Sequence, residues 1–190
     1  MKTDIPLIDR PSRALLRAWL EEHHTRDEGV WLVRYKKHTG ERYVPHGQIA
    51  AELLCWGWID SQVCSMDADR SRIFISPRRP GSIWSAVNKA HVERELAAGR
   101  MAPPGLAKIE AAKVDGSWTL LDDVEALIVP DDLAAALDGC PPARANYEAF
   151  PDSAKKAILW WIKSAKRPTT RASRVATAAE KAARGERAAG

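Results

Sequence analysis

Every predicted β-strand of this chain lies before residue 78. The segments VWLVRYK (30–36), WIDSQVC (58–64) and RIFIS (72–76) combine β-branched and aromatic residues with alternating polarity, which is typical of strands. The polar stretch between the last two segments indicates a hairpin, and Pro77 ends its second strand. A few short strands build only a small sheet, so we predict an α+β fold with a small antiparallel sheet and helices in the first half.

Helical periodicity accounts for most of the remaining chain. Residues 12–24 and 46–56 repeat apolar side chains at helical spacing, and Ser82 is the predicted N-cap of a helix that ends at Ala98. Beyond that point the pattern predicts only helices, over residues 104–113, 131–138, 142–149, 153–166 and 170–184. We therefore expect residues 1–114 to form an α+β, Trp-rich domain. Residues 115–190 are expected to form a helical C-terminal part packed on it, as one structural unit.

Charge is divided unevenly along the chain, although the formal net charge is only +4. Residues 155–190 contain ten Lys or Arg and two Glu, whereas residues 115–152 contain nine Asp or Glu and one Arg. The two segments can neutralise each other within one fold. The alternative is that the basic C-terminal helix, 170–184, binds nucleic acid through its phosphates. A net charge of +4 produces a weak long-range field, so nucleic acid is the less favoured partner.

Composition and motifs argue against several classes of protein. No apolar run approaches the roughly 18 residues of a membrane-spanning helix, so membrane insertion is not expected. Cys55, Cys64 and Cys140 are scattered without CxxC spacing, which favours the reducing cytoplasm. The chain has no P-loop, no GxGxxG motif, no GxSxG motif and no helical pair of metal-binding histidines. We therefore predict no cofactor and no metal site.

Two tryptophans and a carboxylate lie close together in the segment CWGWIDSQ (55–62). If residues 56–60 are extended, Trp56, Trp58 and Asp60 share one face, because side chains alternate along a strand. A carboxylate beside two indole rings needs a basic partner, since burying it alone costs several kcal/mol, of order 2–7 for a polar group. Arg78, shortly after the next strand, is a candidate for that partner.

The helix predicted after Arg78 adds further polar and aromatic groups. Trp84, Ser85 and Asn88 are spaced to cluster near its N-terminal turns, and a helix N-terminus beside arginine favours an anion. One interpretation is a Trp-rich core with an Arg–Asp pair and capping hydroxyls. The other is a pocket with Asp60 as its catalytic residue and with six ligand-binding residues: Trp58, Arg78, Trp84, Ser85, Asn88 and Lys36.

Several ordered motifs carry a resemblance to a known family. They are LLCWGWIDSQ (53–62), the long stretch from FISPRRPGSIWS to AAKVDGSW (74–118) and ILWWIKSAKRPTTRASRV (158–175). Together they resemble the bacterial YdeI/OmpD-associated family, also called bacteriocin-protection proteins, over about residues 12–187. The resemblance implies a small cytoplasmic protein of the stress response, linked to tolerance of bacteriocins or cationic antimicrobial peptides and so to antimicrobial resistance. It implies no agreed biochemical activity.

Three functions remain open from the sequence. The favoured one is a tolerance protein that binds a small polar or anionic ligand in the Trp/Arg/Asn pocket. The second is an enzyme that uses Asp60 as acid or base in the same pocket. The third is nucleic-acid binding through the basic C-terminal helix, with tryptophans stacking on bases. The sequence leaves open whether the protein is catalytic and whether it forms a homodimer.

Overall fold

The computed structural model of the protein describes residues 5–189. It divides into two compact units, Met1–Leu120 and Leu121–Gly190, which we call the first and second units. The division falls six residues after the predicted boundary at 114/115. The packing of the two parts as one structural unit stays a prediction.

The first unit contains a four-stranded sheet in the order β1-β2-β4-β3. The strands are β1 (Leu7–Asp9), β2 (Val30–Tyr35), β3 (Trp58–Ser65) and β4 (Arg70–Pro77). The predicted hairpin is the antiparallel β3–β4 pair, and β4 also pairs antiparallel with β2. The α+β class is confirmed. The sheet is mixed because β1, which the sequence analysis missed, pairs parallel with β2.

Four α-helices of the first unit are α1 (Arg13–His23), α2 (His46–Cys55), α3 (Ala86–Ala97) and α4 (Pro103–Asp115). Lys37–Arg42, after β2, forms 3-10 turns. The predicted N-cap of α3 is wrong, because the N-cap is Ser85, three residues after Ser82. Ser85 is extended (φ −75°, ψ 160°), and its hydroxyl accepts the backbone N–H of Asn88.

The turn from α2 into β3 corrects another prediction. Trp56 is the C-cap of α2 rather than a strand residue, and Gly57 follows it with φ +74°. A side chain at Gly57 would strain the backbone and would lie 2.7 Å from Cγ of Lys108. The strand therefore begins at Trp58, and Trp56 does not alternate with Trp58 and Asp60 along one extended segment.

Helices α1 and α2 cover one face of the sheet. Leu16, Trp19 and Leu20 of α1 and Leu53 of α2 are buried in one cluster with side chains of three strands: Val30, Leu32, Trp58, Ile73 and Ile75. Phe74, between two buried isoleucines of β4, points to the opposite face. A second cluster joins α2, α3 and α4 through Leu54, Trp84, Val92, Ile109 and Ala112.

The second unit is helical in the part of the chain that the structure describes. Its helices are α5 (Asp122–Glu125), α6 (Asp131–Asp138), α7 (Ala143–Ala149), α8 (Asp152–Lys163) and α9 (Pro168–Ala183). Leucine, isoleucine and alanine side chains of α6, α8 and α9 form its core. Between residues 5 and 189, no helix has the length and apolar composition that a membrane crossing requires.

Candidate functional site

Arg78 follows the last residue of β4, where the chain leaves the sheet. Its backbone N–H donates to the carbonyl of Gly57 at 2.9 Å, which extends the β3–β4 pairing by one step. The segment from Arg79 to Ile83 then carries the chain to Trp84 and α3, with the Pro80-Gly81 turn inside it. This connection brings the side chains of Arg78 and Trp84 together in space.

The guanidinium of Arg78 is almost fully buried, with only 2% of the residue exposed. It stacks on Trp84, with Cζ 3.7 Å from the ring centroid, and Nη2 donates to the carbonyl of Ile83 at 3.0 Å. Neither Nε nor Nη1 has a hydrogen-bond partner among the described residues. Burial lowers the pKa of Arg78 to about 10, and the negative charge of Asp60 opposes that shift. The side chain is therefore a buried cation with unused donors.

A cavity of about 50 Å³ lies beside this pair. Its lining comes from two segments, 78–84 and 108–117. The polar and aromatic residues of the lining include Arg78, Ser82, Trp84, Lys108 and Asp115. Gly81 donates its backbone N–H to Asp115 Oδ2 at 3.0 Å, which ties the loop to the end of α4. The volume fits one or a few water molecules, or a carboxylate group, but not a large substrate. The cavity therefore suits the charged end of a ligand.

Asp60, the predicted catalytic residue, does not line this cavity. Its Oδ2 lies 3.6 Å from Nε2 of His46, at the first residue of α2, and its side chain is 21% exposed. We expected arginine or lysine as its partner. Instead His46 is the contact of Asp60, and Asp60 acts on Arg78 through its charge rather than through a hydrogen bond. Asp60 therefore balances the buried cation without facing the cavity.

Trp58, Ser85 and Asn88, which were also predicted as site residues, lie away from the cavity lining. Trp58 is fully buried in the core on the helix-covered face, edge-on to Trp19, and its Nε1 donates to the carbonyl of His24 at 3.2 Å. The side chain of Ser85 caps α3, where Asn88 contributes its backbone N–H.

Lys36 lies at the opposite end of the β3–β4 hairpin from Arg78. Its Nζ donates to the carbonyl of Asp67 at 2.8 Å, and its backbone N–H donates to the carbonyl of Asp69. These two contacts hold the residue after β2 against the hairpin turn. The structure thus brings Arg78 and Trp84 together and leaves Lys36 elsewhere.

Sequence reasoning missed Ser82, Lys108 and Asp115 as cavity residues. The Pro80-Gly81 dipeptide indicated the turn that holds Ser82. Lys108 and Asp115 lie on α4, whose place beside the end of β4 is set by long-range packing. No local sequence pattern predicts that packing.

A second buried polar cluster lies between α1, α2 and α3. Arg13 bridges two buried carboxylates, with Nε 2.7 Å from Glu52 and Nη2 2.6 Å from Glu95. Arg17 adds a second contact to Glu52 and Arg100 adds one to Glu95. Each of the two buried carboxylates is paired with two arginines. The cluster therefore stabilises the fold and leaves no unpaired carboxylate for a ligand.

Cys55 lies against this cluster as a buried thiol. Its Sγ is 3.8 Å from Oε2 of Glu95. Burial, followed by the negative charge of Glu52, raises the pKa of Cys55 to about 12. The thiol is therefore protonated at neutral pH and unreactive, in line with the packing role that its apolar neighbours indicate. Among residues 5–189, no group of three or more His, Cys, Asp or Glu side chains is placed to hold a metal ion.

Acid is expected to destabilise the first unit through Glu95. Burial alone would raise the pKa of this carboxyl, but the hydrogen bonds from Arg100 and Arg13 outweigh burial and lower the pKa from 4.5 to about 2. A depressed folded-state pKa contributes stability above the unfolded value, and that stability disappears as the pH falls from 4.5 towards 2. Urea midpoints should therefore fall more steeply over this range in the wild type than in Glu95→Gln. Parallel acid profiles for the two proteins would contradict this assignment.

In the second unit the basic segment pairs with the acidic one, as its charge pattern predicts. Lys156 and Lys163 of α8 reach Glu125 at 2.7 Å and Asp123 at 2.6 Å. On α9, Arg171 forms two hydrogen bonds with Asp132, at 2.7 and 2.9 Å. Arg174 differs: it stacks over Trp161 at 5.2 Å from its centroid and donates to Ser164 Oγ. These contacts neutralise much of the basic segment. Nucleic-acid binding by α9 stays a prediction.

The two units match two different protein families. Residues 8–108 match the family described as Domain of unknown function (DUF8412), over more than half of the chain. Residues 126–185 match the family described as Bacteriocin-protection, YdeI or OmpD-Associated. The chain belongs to the DUF8412 family, and its residues 126–185 resemble the YdeI/OmpD-associated family. No curated protein and no solved structure matches it.

The predicted resemblance to the YdeI/OmpD-associated family is thus confirmed for residues 126–185. Its match lies in the second unit, whereas the Trp-rich motifs of residues 53–62 and Arg78 with Trp84 lie inside the DUF8412 match. The cavity lining from Arg78 to Lys108 therefore lies in the DUF8412 match, and Asp115 lies just beyond its end. The YdeI/OmpD-associated part is the helical unit whose basic and acidic segments pair.

Proposed function

We propose that this protein is a cytoplasmic tolerance protein, acting in the response to bacteriocins or cationic antimicrobial peptides, that binds a small anionic ligand at Arg78. The match of residues 126–185 to the YdeI/OmpD-associated family supports the biological role. The binding activity rests on the buried Arg78 guanidinium, which carries two unpartnered nitrogens beside a cavity.

The energetics of Arg78 support an anionic ligand over a neutral one. Burying a cation costs on the order of several kcal/mol, unless an opposite charge and hydrogen bonds compensate for the lost hydration. Here one carbonyl and the ring of Trp84 make direct contacts, and Asp60 supplies only long-range charge. A carboxylate or phosphate oxygen would accept from the unused donors, and charge-assisted hydrogen bonds to arginine are stronger than neutral ones.

Binding is favoured over catalysis by the position of Asp60. An acid or base must come within hydrogen-bond reach of the group that it protonates or deprotonates. Asp60 faces His46 and does not line the cavity, so it contributes charge balance instead. An Asp60→Asn variant that keeps full tolerance to a cationic peptide, measured as survival of the host cell, would support binding and speak against catalysis.

Replacement of Arg78 by methionine is expected to weaken anion binding by at least about tenfold, because hydrogen bonds to a charged group are lost. Binding of acetate, benzoate and inorganic phosphate to the purified full chain would be measured by calorimetry and thermal shift. A ligand at about 100 times its Kd adds about 2.7 kcal/mol of stability. Methionine fills a similar volume without the buried charge, so the fold should tolerate it.

Arg94→Met is the matched control for Arg78→Met. It removes the same charge from an exposed residue of α3 that lines neither the cavity nor its surroundings. We expect its anion affinity to stay within about threefold of the wild type, since an exposed charge contributes little. Equal anion stabilisation of the wild type and Arg78→Met would overturn the proposed function.

A further inference from the structure

A wider groove continues from the cavity at Arg78. It has a volume of about 700 Å³ and shares Arg78, Arg79, Pro80, Ser82 and Lys108 with the small cavity. Because the same residues border both spaces, one ligand can reach Arg78 and occupy the groove at once. The basic residues of the groove, Arg78, Arg79 and Lys108, all lie in this shared part.

The floor of the groove is the sheet face that α1 and α2 leave uncovered. Ile59 of β3 and Phe74 of β4 line it, together with Pro77. Side chains alternate across a strand, so Phe74 points away from the buried Ile73 and Ile75. This part of the groove is apolar and offers a flat aromatic surface.

The ring of Phe74 is held in place by two neighbours. A Cβ at Gly29 would lie only 2.4 Å from Cζ of Phe74, so the ring occupies the space that a side chain at this glycine would need. Trp31, the residue of β2 that pairs with Phe74, meets the ring edge-on, with centroids 5.4 Å apart. Phe74 is therefore packed against two neighbours on the sheet face that lines the groove.

Asp27 and Glu28 also line the groove. Their carboxylates disfavour a second negative group on the ligand, because like charges in one site repel. The combination is a basic shared end at which Arg78 alone is buried, an apolar floor and acidic residues elsewhere along the lining. A single charged end joined to an apolar body matches all three.

We propose that the ligand is an amphipathic organic monoanion, an aryl or acyl carboxylate, whose charged end contacts Arg78 and whose apolar body lies on Phe74 and Ile59. This inference rests on the proposed anion site. It adds a requirement for an apolar body, which acetate and inorganic phosphate lack.

The test compares carboxylates of increasing apolar size on the full chain. Benzoate and hexanoate are expected to bind at least about tenfold more tightly than acetate, because each buried methylene adds to affinity. Phe74→Ala should reduce this preference to less than about threefold while acetate binding is kept. Phe150→Ala removes the other phenylalanine, which lies in the second unit, and should leave the preference unchanged.

The outcomes separate this inference from the proposed function. If all carboxylates bind equally and Phe74→Ala changes nothing, while Arg78→Met still abolishes binding, the amphipathic ligand is wrong and the anion site stands. If no carboxylate binds the wild type, both fail. Phe74→Leu keeps an apolar side chain in β4, so it replaces Phe74→Ala if the alanine variant does not fold. It should give an intermediate preference.

Discussion

Replacement of Arg13 by alanine is expected to lower the free energy of unfolding of the first unit by about 3–5 kcal/mol. Arg13 contacts Glu52 and Glu95 at once, and both carboxylates are at least 95% buried. Without Arg13 each keeps only one arginine, Arg17 or Arg100 respectively. Removing one partner of a buried ion pair is costly, because the remaining charge stays desolvated.

Urea unfolding followed by tryptophan fluorescence would measure this effect. Six of the eight tryptophans lie in the first unit, so the signal reports mainly on that unit. Arg70→Ala is the matched control, since Arg70 pairs with Asp67 at the same 2.7 Å but at an exposed turn. Exposed pairs contribute about 0–1 kcal/mol. A loss for Arg13→Ala no larger than the loss for Arg70→Ala would contradict the buried-cluster interpretation.

Trp58→Ala should destabilise the first unit by a similar amount, about 3–5 kcal/mol, for a different reason. The indole is 0% exposed and packs edge-on against Trp19, so alanine leaves a large cavity in the main core. The Nε1 donor to the carbonyl of His24 is lost as well. Equilibrium unfolding in urea is again the measurement.

Trp31→Ala is the control for Trp58→Ala, because Trp31 is only partly buried, on the opposite sheet face. We expect Trp31→Ala to lower the free energy of unfolding by no more than about half as much as Trp58→Ala. The reason is that the partly exposed Trp31 buries less apolar surface on folding. Trp58→Phe, the milder variant, should keep anion affinity at the wild-type value. A folded Trp58→Phe protein that no longer binds anions would instead place Trp58 in the binding site.

The succession of helices and strands was largely predictable because its signals are local. Alternating β-branched residues marked β2 and the β3–β4 hairpin, and prolines and glycines marked most helix ends. The strand β1 escaped because three residues carry no periodicity. It exists only because β2, more than twenty residues away, offers it a parallel edge.

The candidate site was predictable in part. Arg78 and Trp84 are six residues apart, and the Pro-Gly turn between them brings them together locally. Trp58 and Asp60 were assigned to the same site because they are close in sequence and chemically distinctive. The strand turns Trp58 into the core, and Asp60 meets His46 from α2. Chemical type indicated these residues, but it did not indicate which space their side chains enter.

The sequence by itself determined the α+β class, most elements, the family resemblance and the attraction between the acidic and basic segments of the second unit. These follow from periodicity, turn chemistry and charge. Periodicity and turn chemistry act over a few residues, and attraction between opposite charges does not require a precise side-chain geometry. Only the tertiary structure decided that Arg78 is buried with unused donors, that α4 closes a cavity around it and that Phe74 floors a groove beside it. Burial and cavity shape depend on packing between distant segments, and no local pattern encodes that packing.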